Sequence, residues 1–262
     1  MTAPRRVLCL CGSLRRVSSN RAALEAAREL ASLDAWHPPG ASSLQDTPPF
    51  HDTPSPHDTP SPQRLSTAEG PVKLGSSAFD ATAPKTLDAC LTGPSAVEKV
   101  PRRNDARVML ELQLYEGLGH LPLFNPDDEH APLPAPVLAL REAVGQADAL
   151  LVACPEYAHG VPGAFKNLLD WLVGSLEFPG KPVLLLNASA RGSHHAQEAL
   201  AEILRTMSAE LLSAQPCPVA LPGAGCTAEQ VLAHAERRAE LRAALDVLAA
   251  ALAVPAPSAD TR

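Results

Sequence analysis

The chain has 262 residues, a formal net charge of −7, 45% hydrophobic residues and 3% aromatic residues. Because its arginines and lysines form no basic stripe interleaved with aromatics, nucleic-acid binding is not expected. The apolar run near the N-terminus is too short for a signal peptide or a membrane span, so no membrane association is predicted.

Apolar runs alternate with amphipathic stretches through most of the chain. The runs predict buried strands over residues 5–11, 107–115, 148–154, 181–189 and 209–221. The amphipathic stretches predict helices over residues 20–33, 134–147, 161–175, 193–207 and 227–252. This alternation predicts an α/β fold, a doubly wound five-stranded parallel sheet of flavodoxin-like order with helices on both faces.

Residues 37–107 have a different composition. They are dense in proline, and HDTPSP occurs twice in tandem over residues 51–62. Few large apolar side chains are available there to offset the entropy of ordering, so a disordered, low-complexity insertion is predicted. The organisation expected is one domain over residues 1–262, interrupted by this insertion.

The six cysteines form neither a CxxC pair nor a regular framework. Most lie in or beside apolar runs, where a free cysteine behaves as a small hydrophobic residue. A reducing, cytoplasmic compartment is therefore expected. No metal site is predicted, since the adjacent His194 and His195 diverge on a helix instead of sharing a ligand spacing.

The first loop, residues 11–20 (CGSLRRVSSN), lies where the first strand leads into the first helix. Gly12 allows a sharp turn and a close approach, and the unpaired backbone N–H groups of the helix start face outward. The helix dipole favours an anion at this position, and Arg15 adds a planar cationic group. Further polar side chains come from Ser13, Ser18, Ser19 and Asn20. This loop is predicted to hold a phosphate.

Two more loops reach the same edge of the sheet. The second loop, residues 154–171, contains two prolines, two glycines and Tyr157, and such a stiff loop with an aromatic ring suits a planar heterocycle. The third loop, residues 187–197, is built from small residues and can form a pocket wall.

The stretches GSLRRVSSN, LPLFNPDDE, ADALLVACPEYAHGVPGAFKNLLDWLVG and GKPVLLLNASARG, in this order, resemble the NADPH-dependent FMN reductase family. This flavodoxin-like family includes quinone, azo-dye and chromate-type reductases. The resemblance covers residues 5–36 and 108 to about 215. It implies that the FMN phosphate is bound by Ser13, Arg15, Ser18 and Asn20, with Ser19 nearby. It implies ring contacts from Pro155, Glu156, Tyr157 and Gly160, and an opposite wall formed by Ser189 and Gly192.

The family resemblance also implies an oxidoreductase that uses NADPH or NADH as hydride donor, a small-molecule electron acceptor and a homodimer. No side chain is expected to be catalytic, because the flavin carries the chemistry and the protein supplies placement and electrostatics. Backbone donors of residues 156–160 are expected to stabilise negative charge on the reduced ring.

This chain departs from the family in the second loop. Many members have Asn after the Pro-Glu-Tyr triplet and Ser two positions later, where this chain has Ala158 and Gly160. A side-chain contact is therefore replaced by backbone N–H groups or by His159.

Three other functions compete with this prediction, one of them a flavin-free scaffold whose insertion mediates interactions. A non-catalytic flavin carrier has the same three loops. A cysteine phosphatase is suggested by the C-x5-R spacing of Cys9 and Arg15. The phosphatase fits poorly, because Cys9 falls within the predicted strand and Arg16 stands where a Ser or Thr is expected.

Overall fold

One parallel sheet dominates the computed structural model, which describes residues 3–35, 108–130, 132–223 and 225–253. Its strands are β1 (Arg5–Cys11), β2 (Leu110–Leu114), β3 (Ala149–Ala153), β4 (Pro182–Ser189), β5 (Glu210–Leu211) and β6 (Cys217–Leu221). The order is β2-β1-β3-β4, with β5 and β6 both paired to β4, and every pairing is parallel. This is the flavodoxin strand order, so the predicted fold class is confirmed.

The fifth predicted strand, residues 209–221, forms two short strands. β5 pairs with the start of β4, and β6 pairs with its carboxyl half. Between them Ser213 donates a hydrogen bond to the carbonyl of Gln215 over 2.7 Å, and Pro216 has no backbone N–H to donate. The sequence pattern did not separate these two strands, because both flanks are apolar.

The helices are α1 (Ser19–Ala35), α2 (Ala135–Gln146), α3 (Gly163–Val173), α4 (His194–Thr206), α5 (Ala228–Ala233) and α6 (Ala235–Ala253). One face of the sheet packs against α1, α5 and α6, and the other packs against α2, α3 and α4. Along β1, Val7 and Cys9 point to the first face, and Leu8 and Leu10 point to the second. Among the described residues, no helix is both long and apolar enough to cross a bilayer.

The prediction of one continuous C-terminal helix over residues 227–252 is wrong, because the chain leaves the helical conformation at His234 and forms α5 and α6 instead. This residue has extended backbone angles, φ −88° and ψ 112°. The Arg238 side chain donates to the carbonyl of Leu232 over 2.8 Å, which satisfies an acceptor freed by the break. No proline or glycine marks the position, so only the folded chain reveals it.

The predicted insertion, residues 37–107, lies outside the described residues. Its flanks are described. The helix α1 ends at Ala35, and Leu110 at the start of β2 pairs with Arg5 at the start of β1. Both flanks therefore lie at the amino edge of the sheet, opposite to the three loops.

At the carboxyl edge, Gly12 brings the ends of β1 and β3 together. Its N–H donates to the carbonyl of Ala153 over 2.9 Å. A Cβ at Gly12 would lie 2.7 Å from Cys154 Sγ and 3.1 Å from Cys154 Cα. The sequence predicted this glycine for close approach to a ligand, and the close approach that the structure shows is to a neighbouring strand end.

We expect Gly12→Ala to lower the free energy of unfolding by roughly 1–3 kcal/mol, because the new methyl group overlaps backbone and thiol atoms of Cys154. Gly163→Ala is the matched control, since a Cβ there meets no atom within 4 Å. Urea unfolding of the two variants measures the difference. Equal stabilities of the two variants would contradict the packing role of Gly12.

Candidate functional site

The three predicted loops meet at the carboxyl end of β3. Gly12 joins the first loop to the second, as described above. The second loop is joined to α4 by Glu156, whose Oε2 accepts a hydrogen bond from the Ala196 N–H over 3.0 Å. Gln197 adds a second link by donating from Nε2 to the carbonyl of Cys154 over 3.2 Å. The structure thus brings the three loops into one continuous surface.

In the first loop, Ser18 and Asn20 are buried but lack partners. Each is 7% exposed. Within the described part of the chain, neither side chain forms a hydrogen bond to another residue. Their polar atoms have no protein partner and are not fully enclosed, so a ligand at this surface can reach them.

The start of α1 adds backbone donors to these side chains. The first backbone N–H of this helix that donates to the carbonyl four residues earlier is that of Ala22. It donates to the Ser18 carbonyl over 2.9 Å. The preceding N–H groups, from Ser19 to Arg21, lie at the positive end of a 17-residue helix. This donor set fits the terminal phosphate of FMN.

Arg15 and Ser13 complete the first loop differently. The Arg15 side chain is exposed and has no ion pair among the described residues. Ser13 is buried, and its hydroxyl oxygen accepts from the Arg15 N–H over 3.3 Å, so it stabilises the turn. Arg21 donates two hydrogen bonds of 2.7 Å to the carboxylate of Glu116. This pairing lowers the pKa of Glu116 below its usual value.

The second loop contains a tight hairpin over residues 157–160. Tyr157 and Gly160 exchange backbone hydrogen bonds of 3.1 and 3.0 Å. Ala158 and His159 between them have φ values of 49° and 60°, the signature of a type I′ turn. The N–H groups of Tyr157 and Gly160 are therefore used inside the turn. We expected the backbone N–H groups of residues 156–160 to face a ligand. Only those of Glu156, Ala158 and His159 remain available for this.

The hairpin displays the Tyr157 ring, which is 50% exposed. Pro155, just before it, is half-buried. The resemblance assigns these residues and Gly160 to the flavin ring, and their contact with the ring stays a prediction.

Glu156 binds protein groups on both oxygens. Oε2 accepts from Ala196 in the first turn of α4, and Oε1 lies 3.2 Å from His159 Nδ1. The Ala196 N–H, together with His159, lowers the pKa of this carboxyl group. Ser193, the residue before α4, has a left-handed φ of 46° and no side-chain cap bond. Glu156 therefore supplies the cap that α4 lacks, a role that sequence reasoning missed.

The third loop closes on itself. The Ser189 hydroxyl accepts from the Arg191 N–H over 3.2 Å, and its carbonyl accepts from the Gly192 N–H over 3.2 Å. Gly192 has a φ of 87°, which favours glycine, and Asn187 donates from its side chain to the Gly192 carbonyl. The predicted wall residues Ser189 and Gly192 thus form a self-supported turn.

Gln197 is a residue that the sequence did not single out. It is 5% exposed, and among the described residues its Oε1 is the one fully enclosed side-chain oxygen or nitrogen that has no hydrogen-bond partner. A glutamine in an amphipathic helix is typical of a solvated face, so no sequence signal marked it.

The phosphatase alternative fails in the structure. Cys9 lies inside β1 with 0% exposure, and burial raises the pKa of its thiol to about 12. A nucleophilic cysteine needs an accessible thiolate with a lowered pKa. Within the described ranges, no group of three or more His, Cys, Asp or Glu side chains is arranged to hold a metal ion.

Two surface grooves lie away from the loops, beside β2 and α2. Their volumes are about 190 and 450 Å³, and residues such as Gln113 and Ala139 line both. None of the predicted site residues lines either groove. We therefore assign the candidate site from the unpaired polar groups of the first loop and not from these grooves.

Ala158→Asn is expected to raise the free energy of unfolding by about 0.5–1 kcal/mol, because Asn tolerates the left-handed backbone better than Ala does. Ala158→Val is expected to lower it by about 1 kcal/mol, since a β-branched side chain fits that backbone poorly. Urea unfolding of both variants tests this. Shifts in the same direction would show that the backbone at Ala158 is not the cause.

The family model described as NADPH-dependent FMN reductase matches residues 94–217. A quinone reductase of Escherichia coli is 35% identical over 104 residues, which are 36% of this chain and 55% of that protein. An NADPH azoreductase of a Bacillus strain is 37% identical over 114 residues, which are 43% of this chain and 62% of that protein. The chain thus spans little more than half the length of these curated relatives.

Among solved structures, a flavoenzyme NAD(P)H:(acceptor) oxidoreductase from Paracoccus denitrificans has the same fold. Its TM-score is 0.50 at 19% identity, covering 93% of this chain and 97% of that one. The first loop lies outside the family match, so its assignment depends on the unpaired groups described above. The sequence match from residue 94 to 217 and the flavodoxin-like sheet together confirm the predicted resemblance to the NADPH-dependent FMN reductases, a family of oxidoreductases.

Proposed function

We propose that this chain binds FMN across the three loops and reduces a small acceptor with NAD(P)H. The observation that carries the proposal is that the polar side-chain atoms of Ser18 and Asn20, at the start of α1, have no protein partner and remain accessible. A phosphate there would receive their hydrogen bonds and those of the adjacent amides. Arg15 would add a charge-assisted contact from the exposed side.

The rest of the site orients the ring. Tyr157 offers a flat apolar face, and the type I′ turn holds it with two backbone hydrogen bonds. The free N–H groups of Glu156, Ala158 and His159 would stabilise negative charge on a reduced ring. Bound FMN would supply the hydride-transfer chemistry between the nicotinamide and the acceptor, and the loops would hold and orient it. The nicotinamide and the acceptor would bind in turn at the same open face of the flavin ring. Ping-pong kinetics are therefore expected.

The acceptor class is taken from the relatives. Those compared above are named as a quinone reductase and an azoreductase. We propose a small planar acceptor of this kind, a quinone, a flavin or an azo compound, with a metal oxyanion as a further candidate. We propose NADPH or NADH as the hydride donor.

A non-catalytic electron carrier is the second candidate, since flavin binding across the same three loops would serve either function. It would bind FMN and oxidise NAD(P)H negligibly. Purified FMN-loaded protein mixed anaerobically with NADPH or NADH separates the two functions. Rapid loss of the flavin absorption band supports the reductase, and an unchanged band with both nucleotides supports the carrier.

Ser18→Ala and Asn20→Ala are each expected to weaken FMN binding about tenfold or more, because each removes a hydrogen bond to a charged group. Arg15→Ala is expected to act in the same direction, less strongly at high salt than at low salt. Quenching of FMN fluorescence during titration of the flavin-free protein measures the affinity.

The control for these variants is Ser32→Ala on the same helix. Its hydroxyl donates to the Arg28 carbonyl over 3.0 Å and is exposed, so FMN affinity should not change. Unchanged affinity in both Ser18→Ala and Asn20→Ala would refute the phosphate assignment.

We also propose one domain spanning residues 1–262, a homodimer and a cytoplasmic location. The five cysteines in the described part of the chain are all free thiols, which is consistent with a reducing compartment. Leu123 is 85% exposed and Leu176 is 94% exposed, and large apolar side chains this exposed are typical of an interface.

If these leucines lie in a dimer interface, Leu176→Glu should convert the protein from dimer to monomer in sedimentation velocity, because a buried unpaired charge is costly. Glu177→Gln, at the next residue, is the control and should leave the assembly unchanged. A monomeric wild-type protein would refute the proposed dimer.

A further inference from the structure

The side chain of His159 is exposed but held in place. It lies at the tip of the hairpin in the second loop, with 77% of the side chain exposed. Nδ1 lies 3.2 Å from Glu156 Oε1. The ring also meets His195 of α4 edge to face, with centroids 4.6 Å apart and an interplanar angle of 82°. An exposed side chain held by two neighbours is positioned for a task at the surface it faces.

Glu156 sets which nitrogen of this imidazole carries a hydrogen. The carboxylate is fixed at its other oxygen by the Ala196 N–H, 3.0 Å away. Its pKa is lowered by that N–H and by His159, so it is ionised at neutral pH and only accepts hydrogen bonds. Nδ1 is therefore the protonated nitrogen, and Nε2 is left to exchange a proton with whatever occupies the site.

The position of His159 in the hairpin puts its imidazole beside residues that the resemblance assigns to the flavin ring. The residue lies between Tyr157 and Gly160, both assigned to the flavin ring, and it follows Ala158, where many relatives of this type have a polar Asn. In the described part of the chain, Glu156 and His195 are the ionisable side chains in contact with it.

We propose that His159 is a catalytic proton donor to the acceptor, with Glu156 as its positioning residue. This proposal rests on the proposed function. Reducing a quinone to a quinol takes one hydride, which comes from NAD(P)H through the flavin, and one proton. After it has received the hydride, the acceptor carries one negative charge. The Nε2–H bond of the imidazolium then breaks, an O–H bond forms on the acceptor, and solvent returns a proton to the neutral imidazole.

The test compares two acceptors in the FMN-loaded, full-length protein. A benzoquinone takes up protons when it is reduced, and ferricyanide takes up an electron alone. His159→Gln is expected to lower kcat for the quinone by about a hundredfold, in the range of general acid catalysis, and to change kcat for ferricyanide less than about twofold. Glu156→Gln is expected to give a smaller loss, again with the quinone alone.

Glu198→Gln is the control, because Glu198 is an exposed carboxylate on α4 close in sequence to His195. It should leave both rates unchanged. An equal fall of both rates in His159→Gln, or no fall in either, would overturn the proton-donor assignment while leaving the proposed reductase intact. Absence of turnover by the wild-type protein with both acceptors would instead refute the proposed function and this assignment with it.

A measurement without the flavin tests the positioning role of Glu156. Nitrogen-15 NMR of the neutral imidazole should show the hydrogen on Nδ1 of His159 in the wild-type protein. In Glu156→Gln the population should shift toward hydrogen on Nε2. The same tautomer distribution in both proteins would contradict the role assigned to Glu156.

Discussion

Gly12 and Cys154 lie against each other at the carboxyl edge of the sheet, with no space for a side chain on the glycine. This contact brings the first loop beside the second, and hence brings the proposed phosphate donors beside the hairpin. The Gly12 N–H continues the hydrogen bonding between β1 and β3 by one residue, to the Ala153 carbonyl. A site that binds both ends of an elongated ligand needs its two loops at a fixed separation, and this packing sets it.

The polar groups at this edge fall into two sets. In the second and third loops they are bonded to the protein: Glu156 to α4, and Ser189 within its own turn. In the first loop the buried side chains of Ser18 and Asn20 have no described partner. The first set makes the walls rigid before a ligand arrives, and the second leaves hydrogen-bonding capacity that a ligand can use. Rigid walls lower the cost of ordering on binding, and unpaired donors supply part of the affinity.

The link between Glu156 and α4 gives the side chain of this glutamate a structural role beside the proposed flavin site. The resemblance assigned it to the ring, and its two oxygens are already bound to Ala196 and His159. Its contribution is to hold the hairpin and the start of α4 together. The left-handed Ser193 cannot cap this helix from its own side chain, so the cap comes from 40 residues away in sequence.

The sequence alone determined the alternation of strands and helices, the parallel flavodoxin-like sheet and the loops to which the proposed site is assigned. These depend on local periodicity, on glycine and proline, and on runs of polar residues, all of which can be read within a short window. Only the tertiary structure decided that Glu156 caps α4, that Gln197 is buried, that the C-terminal helix breaks at His234 and that Ser18 and Asn20 remain unpaired. Each of these depends on which atoms meet across the fold, because a hydrogen bond or a close contact between distant residues leaves no periodic trace in the chain.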